Sequence, residues 1–334
     1  MSTEHYFSLG GFPLIVRSET QKLGELFHSA FHSFRTANNT SPETITPYLL
    51  ELDYCTLLPS PVSDMTLCYE GPLLSEGHCR LYSSGEATLC VLKDKAALFT
   101  DYRKKQSKLC VLQGCETAVR GNLAMNAFVD VGFAGGQFVV HAGALALPGK
   151  KGLVLIHAPS GTGKTTTCLS LIAAGFSLGS DDLAFVLPGN PPLAYGFPRS
   201  LKVHKDTAAM LPWAASRLAD KPWSDEDERP LPLENLKDFS LIESPKPVPV
   251  VALFRLARTT GESCVVPIGQ ADMLATLAAD NVRIGMSGGM LPIDQKRFEG
   301  YAGLVKSVPT YELRAGKDLD RLGGLVQRAC SVTA

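Results

Sequence analysis

Between residues 158 and 182 the chain carries Ala158-Pro159-Ser160-Gly161-Thr162-Gly163-Lys164-Thr165-Thr166 and, after an apolar interval, Asp181-Asp182. A glycine-rich run ending in Lys-Thr points successive backbone N–H groups and the N-terminus of a following helix at one spot, which suits a phosphate. Lys164 is placed to reach the outer phosphates of a nucleoside triphosphate, and the Thr165 hydroxyl to ligate Mg²⁺. Two adjacent carboxylates beside such a loop can hold Mg²⁺, directly or through water, and one can take a proton from an attacking hydroxyl. The match to G-x-x-x-x-G-K-[ST] has one departure. Ala158 stands where glycine usually supplies a backbone conformation that alanine resists. Downstream, Arg199 and Lys202 in Gly196–His204 are candidates to stabilise a transferring phosphoryl group.

These residues need a strand–loop–helix–strand frame, and the flanking sequence has that pattern. Gly152 to His157 is a short apolar run of the kind that forms a buried strand. Lys164 to Ala174 sets Leu169, Leu171 and Ile172 on one helical face, and Gly175 is the stop. Gly175 to Asp182 then leads into a strand over Leu183–Leu187. Ahead of the loop, Gln137–Leu147 reads as one strand that presents His141 and turns at Pro148-Gly149-Lys150 into the loop strand. Further on, Pro249–Leu256, Ser263–Pro267 and Val308–Leu313 read as strands, and Gln270–Ala279, Gln295–Ser307 and Leu319–Cys330 as helices. The proline-punctuated stretch from Pro212 to Pro249, with its charge run Ser224–Arg229, reads as an extended excursion or flap suited to docking a partner or covering a site.

Residues 1–115 read as a β-rich domain of no assigned role, and 116–334 as the nucleotide-binding domain. A helix is expected over Lys22–Phe34, and strands over Asp64–Tyr69, His78–Ser83, Ala87–Lys93 and Ala96–Tyr102. His28 and His32 fall one turn apart, but no acidic residue follows His28 as the H-E-x-x-H zinc pattern demands, so they read as a helix-surface pair. Lys104–Lys108 reads as a solvated turn. Met286-Ser287-Gly288-Gly289-Met290 is similar to the signature of ABC transporter ATPases, yet no strand ending in Asp-Glu follows it, and it reads as a glycine-rich loop. The fold class is α/β with a mixed sheet.

At 334 residues and a formal charge of −1, the chain has length for about two domains and no overall field for a polyanion, so no nucleic acid is expected. No apolar run approaches the ~20 residues that span a bilayer, and Met1–Glu19 lacks the basic start of a secretory signal. Nine cysteines with irregular spacing and no C-x-x-C read as reduced thiols, which makes cytoplasmic the expected location.

His141, the loop and Asp181-Asp182 occur in an order that resembles the kinase domain of HPr kinase/phosphorylase and its relatives, a fold shared with phosphoenolpyruvate carboxykinase. The resemblance is strongest over 138–187. It implies ATP and Mg²⁺ as cofactors, with loop residues 158–166 binding the nucleotide. It further implies Asp182 as the base for the substrate hydroxyl, Lys164 as the catalytic phosphate-binding lysine, His141 as an active-site histidine, and Thr165 with Asp181 and Asp182 at the metal. The activity implied is transfer of the γ-phosphoryl group to Ser or Thr of a small protein or peptide. A nucleotide-binding regulatory module and a small-molecule kinase stay open, as does a homo-oligomer.

Overall fold

The computed structural model describes residues 2–36, 45–73, 76–149, 152–242, 245–282 and 292–331; the stretch 286–290 lies outside them. The chain divides into two compact units, Met1–Phe138 with Arg283–Arg297, and Val139–Val282 with Phe298–Ala334. Both are mixed α/β.

The first unit holds β1 (Thr3–Leu9), β2 (Phe12–Ser18), α1 (Gln21–Ala30), β3 (Tyr48–Cys55), β4 (Thr66–Pro72), β5 (His78–Ser83), β6 (Ala87–Leu92), β7 (Ala96–Asp101), β8 (Gln106–Leu112) and α2 (Asn122–Ala134). One eight-stranded sheet runs β1-β2-β3-β8-β7-β6-β5-β4. Its β2–β3 and β3–β8 pairs are parallel. Strand alternation turns Ser107, Leu109 and Val111 of β8 inward to full burial, as a period of two requires. The expected strands fall within two or three residues of β4–β7 at each end. The expected helix over 22–34 is α1 followed by a 3-10 turn, His32–Phe34. Thr20 caps α1 by accepting from the Leu23 amide, as a threonine N-cap does.

Phe128 of α2 packs among Phe7, Phe27, Phe31 and Phe34, and its ring stacks on Phe27 at 5.6 Å. Aromatic burial therefore ties α2 to the first unit, whereas the sequence reading groups residues from 116 onward with the second. His28 packs against His5 with the rings tilted and their centroids 4.9 Å apart, while His32 bonds the Ser29 carbonyl. Lys108, read as part of a solvated turn, lies inside β8 and pairs with Asp53 at 2.5 Å.

The second unit continues with β9 (Phe138–Val140), β10 (Ala142–Ala146), β11 (Leu153–His157), α3 (Lys164–Ala173), β12 (Ser177–Ser180), β13 (Ala184–Leu187), β14 (Leu193–Gly196), β15 (Leu201–His204), α4 (Lys205–Met210), α5 (Pro212–Ala215), β16 (Glu228–Leu231), β17 (Val248–Arg258), β18 (Cys264–Pro267) and α6 (Gln270–Asn281). It ends with α7 (Pro292–Ser307), whose first residues count with the first unit, then β19 (Thr310–Ala315) and α8 (Leu322–Ser331). The sheet order is β12-β10-β11-β17-β14-β13-β9, with β19 also beside β17 and carrying β18. β10 and β11 form the expected antiparallel hairpin, Ala142 opposite His157. β11 and β17 run parallel. Cys168, Leu169, Leu171 and Ile172 of α3 pack on Leu145, Val154, Ile156, Phe176 and Phe254.

Two expectations for this unit need correction. The single strand over 137–147 is broken at His141, because β9 pairs with β13 whereas β10 lies between β11 and β12; the chain changes neighbours there. The stretch from 212 to 249 is not an extended flap. β16 zips antiparallel onto β15, and Leu231 and Leu236 are fully buried, because apolar residues between the prolines have a core to enter. All nine cysteines are free thiols. Among the described residues no helix is long and apolar enough to cross a membrane.

Candidate active site

The loop between β11 and α3 owes its shape to two glycines. Gly161 and Gly163 adopt φ of +77° and +105°, the left-handed region that a side chain resists. Ala158 is fully buried and is not among the positive-φ residues. The first motif position is therefore a core position here, and alanine costs nothing in backbone strain. Pro159, Ser160 and Gly161 form the exposed crest. The Thr167 amide makes the first bond back into the helix, to the Gly163 carbonyl at 2.9 Å. The Lys164, Thr165 and Thr166 amides precede it at a helix N-terminus, where N–H groups lack intrahelical acceptors. Arg258, at the end of β17, braces the crest from outside by donating to the Thr162 and Gly161 carbonyls at 2.9 and 2.7 Å.

The adjacent aspartates part company. Consecutive residues at a strand end project to opposite sides. Asp181, 5% exposed, accepts from the Thr165 hydroxyl at 2.7 Å. Burial holds its carboxyl above the usual range, against the Thr165 bond. Asp182 meets cations instead. Its Oδ1 lies 2.9 Å from His141 Nε2 and 3.6 Å from Lys164 Nζ, and its Oδ2 takes Arg199. Burial pushes the Asp182 carboxyl up, but His141, Arg199 and Lys164 outweigh it and hold the group well below the usual range. Burial therefore does not leave Asp182 with the raised pKa a buried base would have.

His141 sits between two carboxylates. Its Nδ1 is 2.6 Å from Asp280 Oδ2 at the C-terminal end of α6. Burial pulls its pKa down, yet the bonds to Asp182 and Asp280 overcome this and raise it. His157, fully buried, lies behind it. Its Nδ1 donates to the His141 carbonyl at 2.9 Å, and its Nε2 has no partner. Burial keeps that ring below the ordinary histidine range.

Lys164 is the unusual member. It is 8% exposed, and its Nζ is buried without a hydrogen bond. The 3.6 Å contact with Asp182 is a Coulombic approach, longer than a charge-assisted hydrogen bond. Burial depresses its pKa, and Asp182 only partly opposes this.

The structure thus gathers His141, Lys164, Thr165, Asp181 and Asp182 with the loop. It separates the two downstream cations, since Arg199 reaches Asp182 whereas Lys202 pairs with Glu228 at 3.3 Å on a half-exposed side chain. The Thr166 side chain is committed elsewhere, sharing a 2.7 Å hydrogen bond with Thr207, so only its backbone faces the loop. Asp280, His157 and Arg258 escaped the sequence reading. Asp280 and Arg258 are ordinary surface types at element ends, and only their partners mark them. No protein-family model matches the chain, and no curated protein matches its sequence.

Proposed function

We propose that the chain is an ATP-dependent, Mg²⁺-requiring kinase related to HPr kinase, which transfers the γ-phosphoryl group to a hydroxyl, that of Ser or Thr in a small protein or peptide. The observation that carries the proposal is Lys164, a buried ammonium with no hydrogen bond at the end of a glycine-rich loop, where α3 begins. Buried charges are normally paired and hydrogen-bonded, so one held only by a 3.6 Å ionic contact beside a helix N-terminus fits a polyanionic ligand. The nucleotide phosphates would take Lys164 and the amides of Gly161–Thr166. Thr165 and Asp181 would hold Mg²⁺, as a loop threonine and a strand-end aspartate do in phosphate-loop enzymes, and the metal when bound neutralises phosphate charge.

Asp182 is ionised at every physiological pH and orients the acceptor hydroxyl, then receives its proton at a carboxylate oxygen. A weakly basic carboxylate suffices, because the transition state of phosphoryl transfer is loose and the nucleophile needs positioning more than deprotonation. Arg199 and Lys164 place positive charge where negative charge develops on the transferred group. Asp280 holds His141 in place, and His141 holds Asp182. The choice of a protein hydroxyl as acceptor rests on the family resemblance.

One observation favours a second reading. Both Asp182 oxygens are occupied, by His141 and by Arg199, which suits a nucleotide-binding regulatory module with little chemistry. Incubating the chain with γ-labelled ATP, Mg²⁺ and extract from its own source decides between them. A labelled protein that disappears with Lys164→Ala supports the kinase. A labelled small molecule moves the acceptor class, and ATP bound but unconsumed establishes the module.

A further inference from the structure

The first unit contains a cavity of about 240 Å³. It lies among β4–β7, α2 and the first turns of α7. Leu81, Leu98, Val129 and Ile293 give it apolar walls. Into the same space come Asn126 and Asp130 from α2, and Asp294 and Arg297 from α7. The volume falls below the ~300–1,000 Å³ of drug-sized sites, so a ligand here is small.

The polar groups are only partly satisfied by the protein. Asp130, 8% exposed, accepts from Tyr102 and Thr100 at 2.9 and 2.8 Å, one bond per oxygen. Each carboxylate oxygen has a second lone pair left. Asp294, 1% exposed, pairs with Arg297 through Nη1 at 3.0 Å. That bond uses one of five guanidinium donors, and among the described residues neither Nε nor Nη2 of Arg297 has an acceptor. The Asn126 side-chain amide likewise makes no hydrogen bond among the described residues. The cavity thus presents an anionic acceptor, a cation with free donors and an uncommitted amide to whatever enters it.

Charge complementarity selects the ligand. A simple carboxylate would satisfy Arg297 but face Asp130. A simple amine would satisfy Asp130 but leave the free face of Arg297 unmet. A zwitterion partners both, and the leucines, Val129 and Ile293 accept an apolar substituent. We propose that this cavity binds a free α-amino acid with an apolar side chain, its ammonium on Asp130, its carboxylate on Arg297 and the Asn126 amide between them.

The test uses the full chain, with isothermal titration and thermal unfolding in the presence of L-leucine, L-isoleucine, L-valine, L-methionine or L-phenylalanine. Each is compared with analogues lacking one pole, 3-methylbutylamine and 4-methylpentanoate for leucine. The expected result is binding and a raised unfolding temperature for at least one of these amino acids. The analogues should bind on the order of tenfold or more weakly, since each leaves a charged group unpaired. Arg297→Met should abolish binding. Because that change strands Asp294, Asn126→Ala serves as the variant that disturbs no internal bond, and it should weaken binding several-fold while leaving the unfolding temperature of the free protein unchanged. No amino acid binding at millimolar concentration, one-pole analogues as tight as the zwitterion, or undiminished affinity in Asn126→Ala would each overturn the assignment.

Discussion

Replacing Lys164 by methionine separates a binding site from a structural ion pair, because the two predict opposite signs for stability. Breaking an ordinary buried pair strands the partner and costs about 3–5 kcal/mol. Here the partner is not stranded. Asp182 keeps His141 at 2.9 Å and the Arg199 guanidinium. The lost attraction, across 3.6 Å, is about 4–5 kcal/mol at an effective dielectric of ~20, and it disappears together with a desolvation penalty of several kcal/mol for an ammonium without hydrogen bonds. The Lys164 pKa is lowered, with burial as the largest cause, so desolvation exceeds attraction in the folded protein. Lys164→Met should therefore stabilise the ligand-free chain by on the order of 1 kcal/mol, raising its unfolding midpoint by ~2–4 °C. The pH dependence has a matching sign. A lysine whose folded pKa lies below its unfolded value costs stability below the folded pKa, and stability returns as pH rises from there toward about 10.5. The variant should lose that rise. Calorimetry from pH 7 to pH 10 measures both, and an ATP assay on the same samples should find transfer abolished. A variant several kcal/mol less stable than the parent would refute the reasoning and make Lys164 a structural cation.

Three further outcomes follow from the geometry. Asp280→Asn removes a carboxylate from His141 Nδ1, so the His141 pKa should fall toward or below the ordinary value of about 6.5, read by NMR titration of the ring protons. In the parent, His141 is raised, so its contribution to stability is complete below pH about 6.5 and is lost as pH climbs through the folded pKa; the variant should flatten that fall. Asp181→Asn and Thr165→Val should leave the chain folded and remove the Mg²⁺ dependence of nucleotide affinity, as measured by titration with and without the metal. Arg199→Met should lower transfer on the order of 10²-fold, whereas Lys202→Met, whose partner is Glu228 at the surface, should leave the rate within about twofold.

The parts of the site that depend on local sequence were legible in it. The loop, α3 and its stop at Gly175, and the hairpin carrying His157 opposite Ala142 follow from glycine conformation, apolar periodicity and a turn, all set within a few residues. What was not legible depends on distant pairing. His141 interrupts a run that looks like one strand, and only the placement of β13 on one side and of β11 and β12 on the other explains the break. Asp280 is nearly 140 residues from the ring it holds, at the end of a helix whose pattern gave no sign of it. The prolines of 212–249 suggested an excursion because proline blocks regular structure, yet Leu231 and Leu236 had an apolar cluster to join. Ala158 misled in the other direction. The pattern treats that position as a backbone constraint, and in this chain it is a packing position.

If the loop binds phosphate, as proposed, the division between Asp181 and Asp182 accounts for the cation it keeps in reserve. His141, Arg199 and Asp280 close around Asp182 as a set in which each charge has a hydrogen-bonded partner. Asp181 is turned the other way, bound to Thr165 and disfavoured as an anion by burial. Only Lys164 is left with charge and no hydrogen bond. Two carboxylates next to a phosphate site would repel a polyanion if both were bare, and at ~4 Å each such contact costs about 4 kcal/mol at an effective dielectric of ~20. Enclosing one in cations and turning the other toward the Thr165 hydroxyl would remove that repulsion before a ligand arrives. On the proposed reading, the remaining phosphate charge would fall to Lys164, the loop amides and the metal, so nucleotide affinity should depend on Mg²⁺ through Asp181 and on Asp182 hardly at all.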